Sequence, residues 1–398
     1  MSDNRRPTSG RLSEKHAHRR SFLKGAAAAP ILFAMPSLAS GSPSVAKSPT
    51  PLADDGLAAE IPSSLGIDAG ALTAILDGVR NGPANIHSLL VMRHGKLAAE
   101  LYRTGSDRSI YSLWASQRSF TPADRHDMRS ISKSVVGLLY GILLDRGAVP
   151  DIETPVASLF PECRHLDDAA RRTIRIRHLL SMTAGLDWTE PSPVRRATST
   201  EEVGLALRPC AYSYVFGHDV VAPPGTQFTY SGGLTAVLGE IIERSTGRSL
   251  RVIADENLFT PLGIHDWEWI GDIYGKPMAP QGLRLRPRDL MKLGAMMLAG
   301  GRWQGRRIVP ADWIARSTQP SIPTAPVGGY GFLWWSMTVP WKGRNLPVQT
   351  AIGNGGQRLF LVPDLDLAVV TTAGDYGDPA IARPLNDILH AVVAAVSA

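Results

Sequence analysis

Residues 134–144 are apolar nearly all round, with Val135, Val136, Leu138, Leu139, Tyr140, Ile142, Leu143 and Leu144 leaving almost no polar face. A helix hydrophobic on every side belongs inside a protein rather than on it. The pattern predicts an interior helix opening at about Ser130 and stopping at Gly147. Upstream, Asp68 is placed to cap a helix running to about Arg80, and residues 87–93 and 97–102, joined by His94-Gly95-Lys96, alternate as a hairpin. From about 150 to 280 the character is helical: 176–182, 200–207 and 234–245 are periodic segments broken by Pro and Gly, and no strand pair stands out. A helix over 286–298 ends at Gly300-Gly301, and strands over 357–362 and 367–372 are joined by Pro363-Asp364-Leu365-Asp366. A helix over 384–396, with its proline in the first turn, closes the chain.

Sheet elements towards both ends with helices between them imply an α/β (α+β) chain: a lobe completed by the C-terminus, with an inserted all-helical lobe at about 150–280. Roughly 335 residues past the leader exceed a usual single core, which also favours two lobes in one unit over 62–398. Residues 40–61, rich in Ser and Pro, are expected to be a flexible linker. Before them, His18-Arg19-Arg20-Ser21-Phe22-Leu23-Lys24 is a twin-arginine signature, followed by an apolar stretch over 25–39 and small residues at Ser37-Leu38-Ala39. The expectation is a signal peptide over 1–39, the twin-arginine export machinery as its partner, and a periplasmic or secreted product. The apolar stretch is shorter than the roughly 20 residues a membrane span needs, so no integral membrane segment is expected after cleavage.

Those 39 residues carry seven Lys/Arg and two Asp/Glu, so the whole-chain net charge of +6 falls to +1 without them. Nucleic-acid binding thereby loses its support. The two cysteines, Cys163 and Cys210, permit a disulfide without requiring one. No Cys-x-x-Cys or His-Glu-x-x-His occurs, so neither a metal nor an organic cofactor is expected.

Ser130-Ile131-Ser132-Lys133 opens the interior helix. Positions i and i+3 are neighbours on one helix face, so a hydroxyl nucleophile and an amine base could meet there. Ser-x-x-Lys also occurs at 21–24 and 44–47, but those copies lie in the leader and the linker. Two further stretches carry candidate chemistry. Tyr230 stands where the Pro/Gly-rich loop from Pro223 meets a helix, and Thr350-Ala351-Ile352-Gly353-Asn354-Gly355-Gly356-Gln357 opens the late hairpin with glycines that could admit a substrate to strand backbone. No Gly-x-Ser-x-Gly occurs, which disfavours a nucleophile elbow.

Together these stretches resemble the serine β-lactamase-like, or penicillin-recognising, hydrolases over roughly 62–398. The segment from Thr173 to Leu186, Pro224-Gly225-Thr226-Gln227-Phe228-Thr229-Tyr230-Ser231 and Gly301-Arg302-Trp303-Gln304-Gly305 resemble in particular the branch of 6-aminohexanoate-dimer hydrolases and esterases. The resemblance implies an antiparallel sheet flanked by helices. It implies Ser130 as nucleophile, Lys133 as a largely neutral base and Tyr230 as proton carrier to the leaving group. It further implies the Ser130 and Gln357 N–H groups as oxyanion donors, with Ser231, Gly232, Asn354, Gly355 and Gly356 lining the substrate. Where β-lactam-recognising members have Tyr-x-Asn and Lys-Thr-Gly, this chain has Tyr230-Ser231-Gly232 and Asn354-Gly355-Gly356. Small-molecule esters or amides are therefore the expected substrates. The alternatives are a β-lactamase or D-amino-acid peptidase and, from another class, a catalytically inactive periplasmic binding or scaffold relative.

Overall fold

The computed structural model describes residues 55–110, 112, 114–190, 201–324 and 328–397. The leader and the start of the linker lie outside them. Eight strands form one antiparallel sheet: β1 (Ile86–Arg93), β2 (Lys96–Tyr102), β3 (Ile322–Thr324), β4 (Gly328–Tyr330), β5 (Trp335–Trp341), β6 (Arg344–Gly353), β7 (Gln357–Val362) and β8 (Leu367–Ala373). Their order is β3-β4-β5-β6-β7-β8-β1-β2, so the N-terminal hairpin completes a sheet built by the C-terminal third.

One face of the sheet is covered by α1 (Ala69–Asn81) and the closing helix α5 (Ala382–Ala394), through Leu72, Leu385, Leu389, Val392 and Val393. Asp68 caps α1 as expected, its carboxylate accepting from the Ala71 N–H at 2.8 Å. The other face meets α2 (Ile131–Asp145) and α4 (Pro287–Leu298), and beyond them the helical segments of 150–280, including α3 (Gly232–Thr246). Every residue of α2 from Ile131 to Leu143 is buried, as its apolar circumference demands. Gly141 is the point of closest approach: a Cβ there would overlap the Trp313 ring at 2.2 Å, while the indole N–H donates to Gly137 O.

Two expectations change. The folded unit starts by Asp55 rather than at 62: Leu57 is buried, Asp55 forms a two-pronged ion pair with Arg288, and the Glu60 N–H donates to Leu97 O. Leu57 and Asp55 are isolated anchors in a Ser/Pro-rich stretch without periodicity, which is why the boundary is hidden. The region before 280 also contains a two-residue strand, Glu268–Trp269, paired with Leu283–Leu285, which in turn pairs with His126–Asp127 and so fixes the approach to Ser130. Cys163 and Cys210 are both free.

Candidate active site

Ser130 is the N-cap of α2, yet its hydroxyl makes no capping bond. A serine there normally accepts from an N–H of the first turn. Here the hydroxyl instead meets Lys133 Nζ at 3.0 Å, the i,i+3 contact the spacing predicts. The turn delivering it is strained. Arg129 adopts a left-handed backbone (φ 49°), a conformation that for a long side chain persists only when its surroundings impose it. Arg129 pairs with Asp127 at 3.4 Å and stacks over Tyr376 at 4.5 Å. Neighbouring Ser132 locks the turn, donating to Arg129 O at 2.7 Å and accepting from the Leu283 N–H at 3.1 Å.

Tyr230, at the head of α3, is buried, and its ring lies 4.8 Å from Lys133 Nζ. Ser130 and Lys133 both act on its phenol, favouring the ionised form. Burial raises its pKa, Lys133 pulls it down and Glu190 raises it again, so the net shift is upward and the group is a neutral phenol. Trp335 packs against the ring with centroids 5.5 Å apart, and Tyr330 meets it edge-on. Trp335 thus backs Tyr230, and both it and Trp334 belong to the core.

The expectation of a neutral Lys133 is corrected. Burial alone lowers a lysine pKa by up to about 3–5 units, but Glu190 Oε1 lies 3.3 Å from Nζ, with both side chains almost fully buried. A charge pair at that distance is worth about 5 kcal/mol at an effective dielectric near 20, comparable with the cost of burying the ammonium. Pro280 O at 3.3 Å and Ser130 Oγ add acceptors for the cation. Burial lowers the Lys133 pKa, Glu190 and to a lesser degree Tyr230 and Glu202 raise it, and the balance is upward. Lys133 rests as an ammonium. Glu202, partly buried nearby, is pushed up to about 7 by burial and Glu190, against the pull of Lys133 and Arg129.

Glu190 was missed from the sequence, although it is the most deeply placed carboxylate of the site. Its segment is stapled down by the Leu186–Val220 bridge and the Asp187 N–H to Asp219 O bond. Its Oε2 accepts from Trp188 Nε1 at 2.8 Å and from the Gly232 N–H at 2.5 Å.

The expected substrate-lining residues have other duties. Ser231 Oγ caps α3 by accepting from the Leu234 N–H, and the Gly232 N–H is taken by Glu190. Asn354 Oδ1 accepts from the Gly377 N–H at 2.8 Å. A Cβ on Gly355 would strike the Tyr376 ring at 2.4 Å, and one on Gly356 would meet Ala373 at 2.7 Å and Ile381 at 3.0 Å. Along their Cβ directions those glycines make room for the protein's own side chains. Gly353 packs closely on the segment that leads to Ser130, its Cβ position lying 2.3 Å from Met128 O. Gln357 heads β7 opposite Gly353, its side-chain amide donating to Ala373 O at 2.6 Å and accepting from the Ala373 N–H at 3.4 Å.

His178 is structural, its Nδ1 accepting from the Arg175 N–H; burial and Arg177 hold its pKa down at about 4. His126 is enclosed between Phe120 and His87. Among the described residues no cluster of His, Cys, Asp and Glu is placed to hold a metal ion.

The family model described as Beta-lactamase matches residues 87–392. A 6-aminohexanoate-dimer hydrolase of Paenarthrobacter ureafaciens is 29% identical over 310 residues, 73% of each chain. The esterase EstB of Burkholderia gladioli is 29% identical over 219 residues, 52% of this chain and 53% of its own. Among solved structures, a family VIII carboxylesterase superposes with a TM-score of 0.61 at 16% identity, covering 84% of this chain and 99% of its own. The chain belongs to the beta-lactamase family and is a serine hydrolase.

Proposed function

We propose that the protein hydrolyses small esters or amides through an acyl-enzyme on Ser130, with Lys133 as proton acceptor and Tyr230 as the carrier of a proton to the leaving group. The observation that carries this reading is the 3.0 Å contact between Lys133 Nζ and a helix-capping hydroxyl with no capping bond. Ser130 Oγ attacks the substrate carbonyl while its proton passes to Lys133, which has first to give up one of the protons of its resting ammonium. The Ser130 N–H at the positive end of α2 and a backbone N–H from the β6–β7 hairpin, for which Gln357 is the candidate, receive the oxyanion. Tyr230 gives its proton to the departing alcohol or amine and regains one through Lys133, and water then cleaves the acyl-enzyme. The two relatives named for aminohexanoate-dimer and ester hydrolysis support this substrate class. Export through the twin-arginine route belongs to the same proposal, resting on the leader sequence alone.

The test is hydrolysis of short p-nitrophenyl esters, a 6-aminohexanoate dimer and a chromogenic cephalosporin by purified protein and by Ser130→Ala. Ester or dimer turnover well above cephalosporin turnover is expected, falling at least about a thousandfold in the variant together with loss of fluorophosphonate labelling. Undiminished hydrolysis by Ser130→Ala removes the reading. A cephalosporin kcat/KM at or above the ester value would move the assignment to a β-lactamase.

A further inference from the structure

We propose that Glu190 is a positioning residue for Lys133 that also takes up the proton Lys133 must lose before it can accept one from Ser130. The inference rests on the Ser130–Lys133–Tyr230 reading above and adds a third member behind the lysine.

The geometry has three parts. Lys133 Nζ is held between Ser130 Oγ at 3.0 Å and Glu190 Oε1 at 3.3 Å, so the amine bridges the hydroxyl and the carboxylate. Glu190 is itself fixed, because its other oxygen accepts from an indole N–H and a backbone N–H. The site is also shaped for it at Gly232: a Cβ there would lie 3.0 Å from Glu190 Oε2, 3.3 Å from Pro280 Cβ and 3.6 Å from Glu190 Oε1. A side-chain amide at 232 would therefore stand where the carboxylate is. The absence of that amide from Tyr230-Ser231-Gly232 is not an empty loss of recognition. The carboxylate of Glu190 occupies the space, reaching it from a different part of the chain. It follows that Gly232→Asn alone displaces Glu190 instead of restoring β-lactam recognition.

The proton balance closes without a co-reactant. As the Oγ–carbon bond forms, the Ser130 O–H bond breaks and its proton goes to Lys133 Nζ, while one Lys133 proton moves to Glu190 Oε1. When the carbon–leaving-group bond breaks, the Tyr230 phenol proton goes to the leaving group. Lys133 then reprotonates the phenolate and recovers its proton from Glu190. The net change is one proton from serine to leaving group.

The charged and titratable groups facing this pair are Ser130 and Lys133 on α2, Tyr230 before α3, Tyr330 on β4 and Glu202 beyond the Glu190 segment, with Arg129 acting on Glu202. Among the described residues Glu190 alone forms an ion pair with Lys133. Removing its charge lowers the Lys133 pKa from its raised position, while Glu202 and the acceptors Ser130 Oγ and Pro280 O still favour the cation, so the free amine appears unaided only on the basic side of neutrality.

The experiment measures kcat and KM for a p-nitrophenyl ester from about pH 5 to about pH 10 on wild type, E190Q and E190D, with chemical hydrolysis subtracted. The amide of E190Q still offers a carbonyl oxygen to Trp188 and Gly232 but takes no proton. At neutral pH its kcat is expected to fall about a hundredfold with KM changed less than about threefold, and to recover as pH rises and Lys133 deprotonates unaided. E190D, with the carboxylate drawn back, is expected to keep the wild-type profile at a reduced kcat. An E190Q enzyme with wild-type kcat and profile, or with a loss equal at every pH, overturns the proposal. If E190Q does not fold, E190D decides: unchanged kcat at every pH also overturns it. Failure of the underlying reading is distinguished by Ser130→Ala, which would then keep both its activity and its labelling.

Discussion

Among the described residues two lysines are buried, each 3.3 Å from a buried carboxylate, and they serve different ends. Lys292 pairs with Asp289 one turn earlier on α4 and donates to Gly263 O at 2.9 Å, tying the helix to a neighbouring turn. Asp289 has a second cation, since Arg286 grips both of its oxygens at 2.6 and 3.1 Å. All of the partners named for this cluster are charges or carbonyls, so it has no reactive group and is a clamp. Lys133 has one paired carboxylate, from a distant loop, and spends another contact on a serine hydroxyl with no capping bond. A buried ion pair therefore does not mark chemistry on its own. What separates the two is the group on the far side of the amine.

The largest test of that contrast is Lys133→Met against Lys292→Met. Lys133→Met is expected to lower ester kcat/KM at least about a thousandfold, because no other amine reaches Ser130. Lys292→Met is expected to leave the turnover of folded protein unchanged and to cost about 1–3 kcal/mol of stability in urea, the price of an unpaired Gly263 carbonyl. Asp289 keeps Arg286 in that variant, so the larger penalty of a stranded buried charge does not arise. If Lys292→Met abolished turnover in a folded protein while Lys133→Met spared it, the roles assigned to the two lysines would be reversed.

Gly232→Ala sharpens the contrast at a smaller scale. The added methyl meets Glu190 Oε2 at 3.0 Å, tight enough to shift the carboxylate by a few tenths of an ångström while the helical backbone of α3 accepts alanine. A fall in kcat of about tenfold with little change in melting temperature is expected, since small displacements of positioned groups cost rate before they cost fold. Unchanged kcat would mean that Glu190 tolerates displacement and that Lys133 works without it.

The parts of the site legible in the sequence are the local ones. Ser130 and Lys133 are one helical turn apart on a helix whose burial is written in its composition, and Tyr230 stands at a loop-to-helix junction marked by Pro and Gly. Glu190 was not legible, because a carboxylate in an irregular loop has no period and its partners, Lys133 and Gly232, are brought to it only by tertiary folding. The β3–β6 strands were hidden for a related reason. Pro340 and Pro347 fall inside β5 and β6, where proline ordinarily argues against a strand, yet both lie towards the turn that joins them. The glycines at 355 and 356 were seen, but what they make room for, Tyr376 and Ile381, comes from residues that close over the hairpin later in the chain.

Ser231 gives the smallest test, and it bears on how far the machinery extends beyond the lysine pair. The residue follows Tyr230 directly, and from sequence it is expected to line the substrate. In the fold it is buried, with extended N-cap geometry (φ −145°, ψ 115°), and Oγ accepts from the Leu234 N–H at 3.3 Å. A capping hydroxyl is worth about 1 kcal/mol. Ser231→Ala is therefore expected to lower stability by about that amount in urea titration while KM for the ester stays within about twofold, since truncation removes a cap and leaves the Gly232 N–H bond to Glu190 in place. The opposite result, unchanged stability with KM raised about tenfold or more, would return Ser231 to the substrate wall, because a lost substrate hydrogen bond of about 1.5 kcal/mol shows in binding and not in folding.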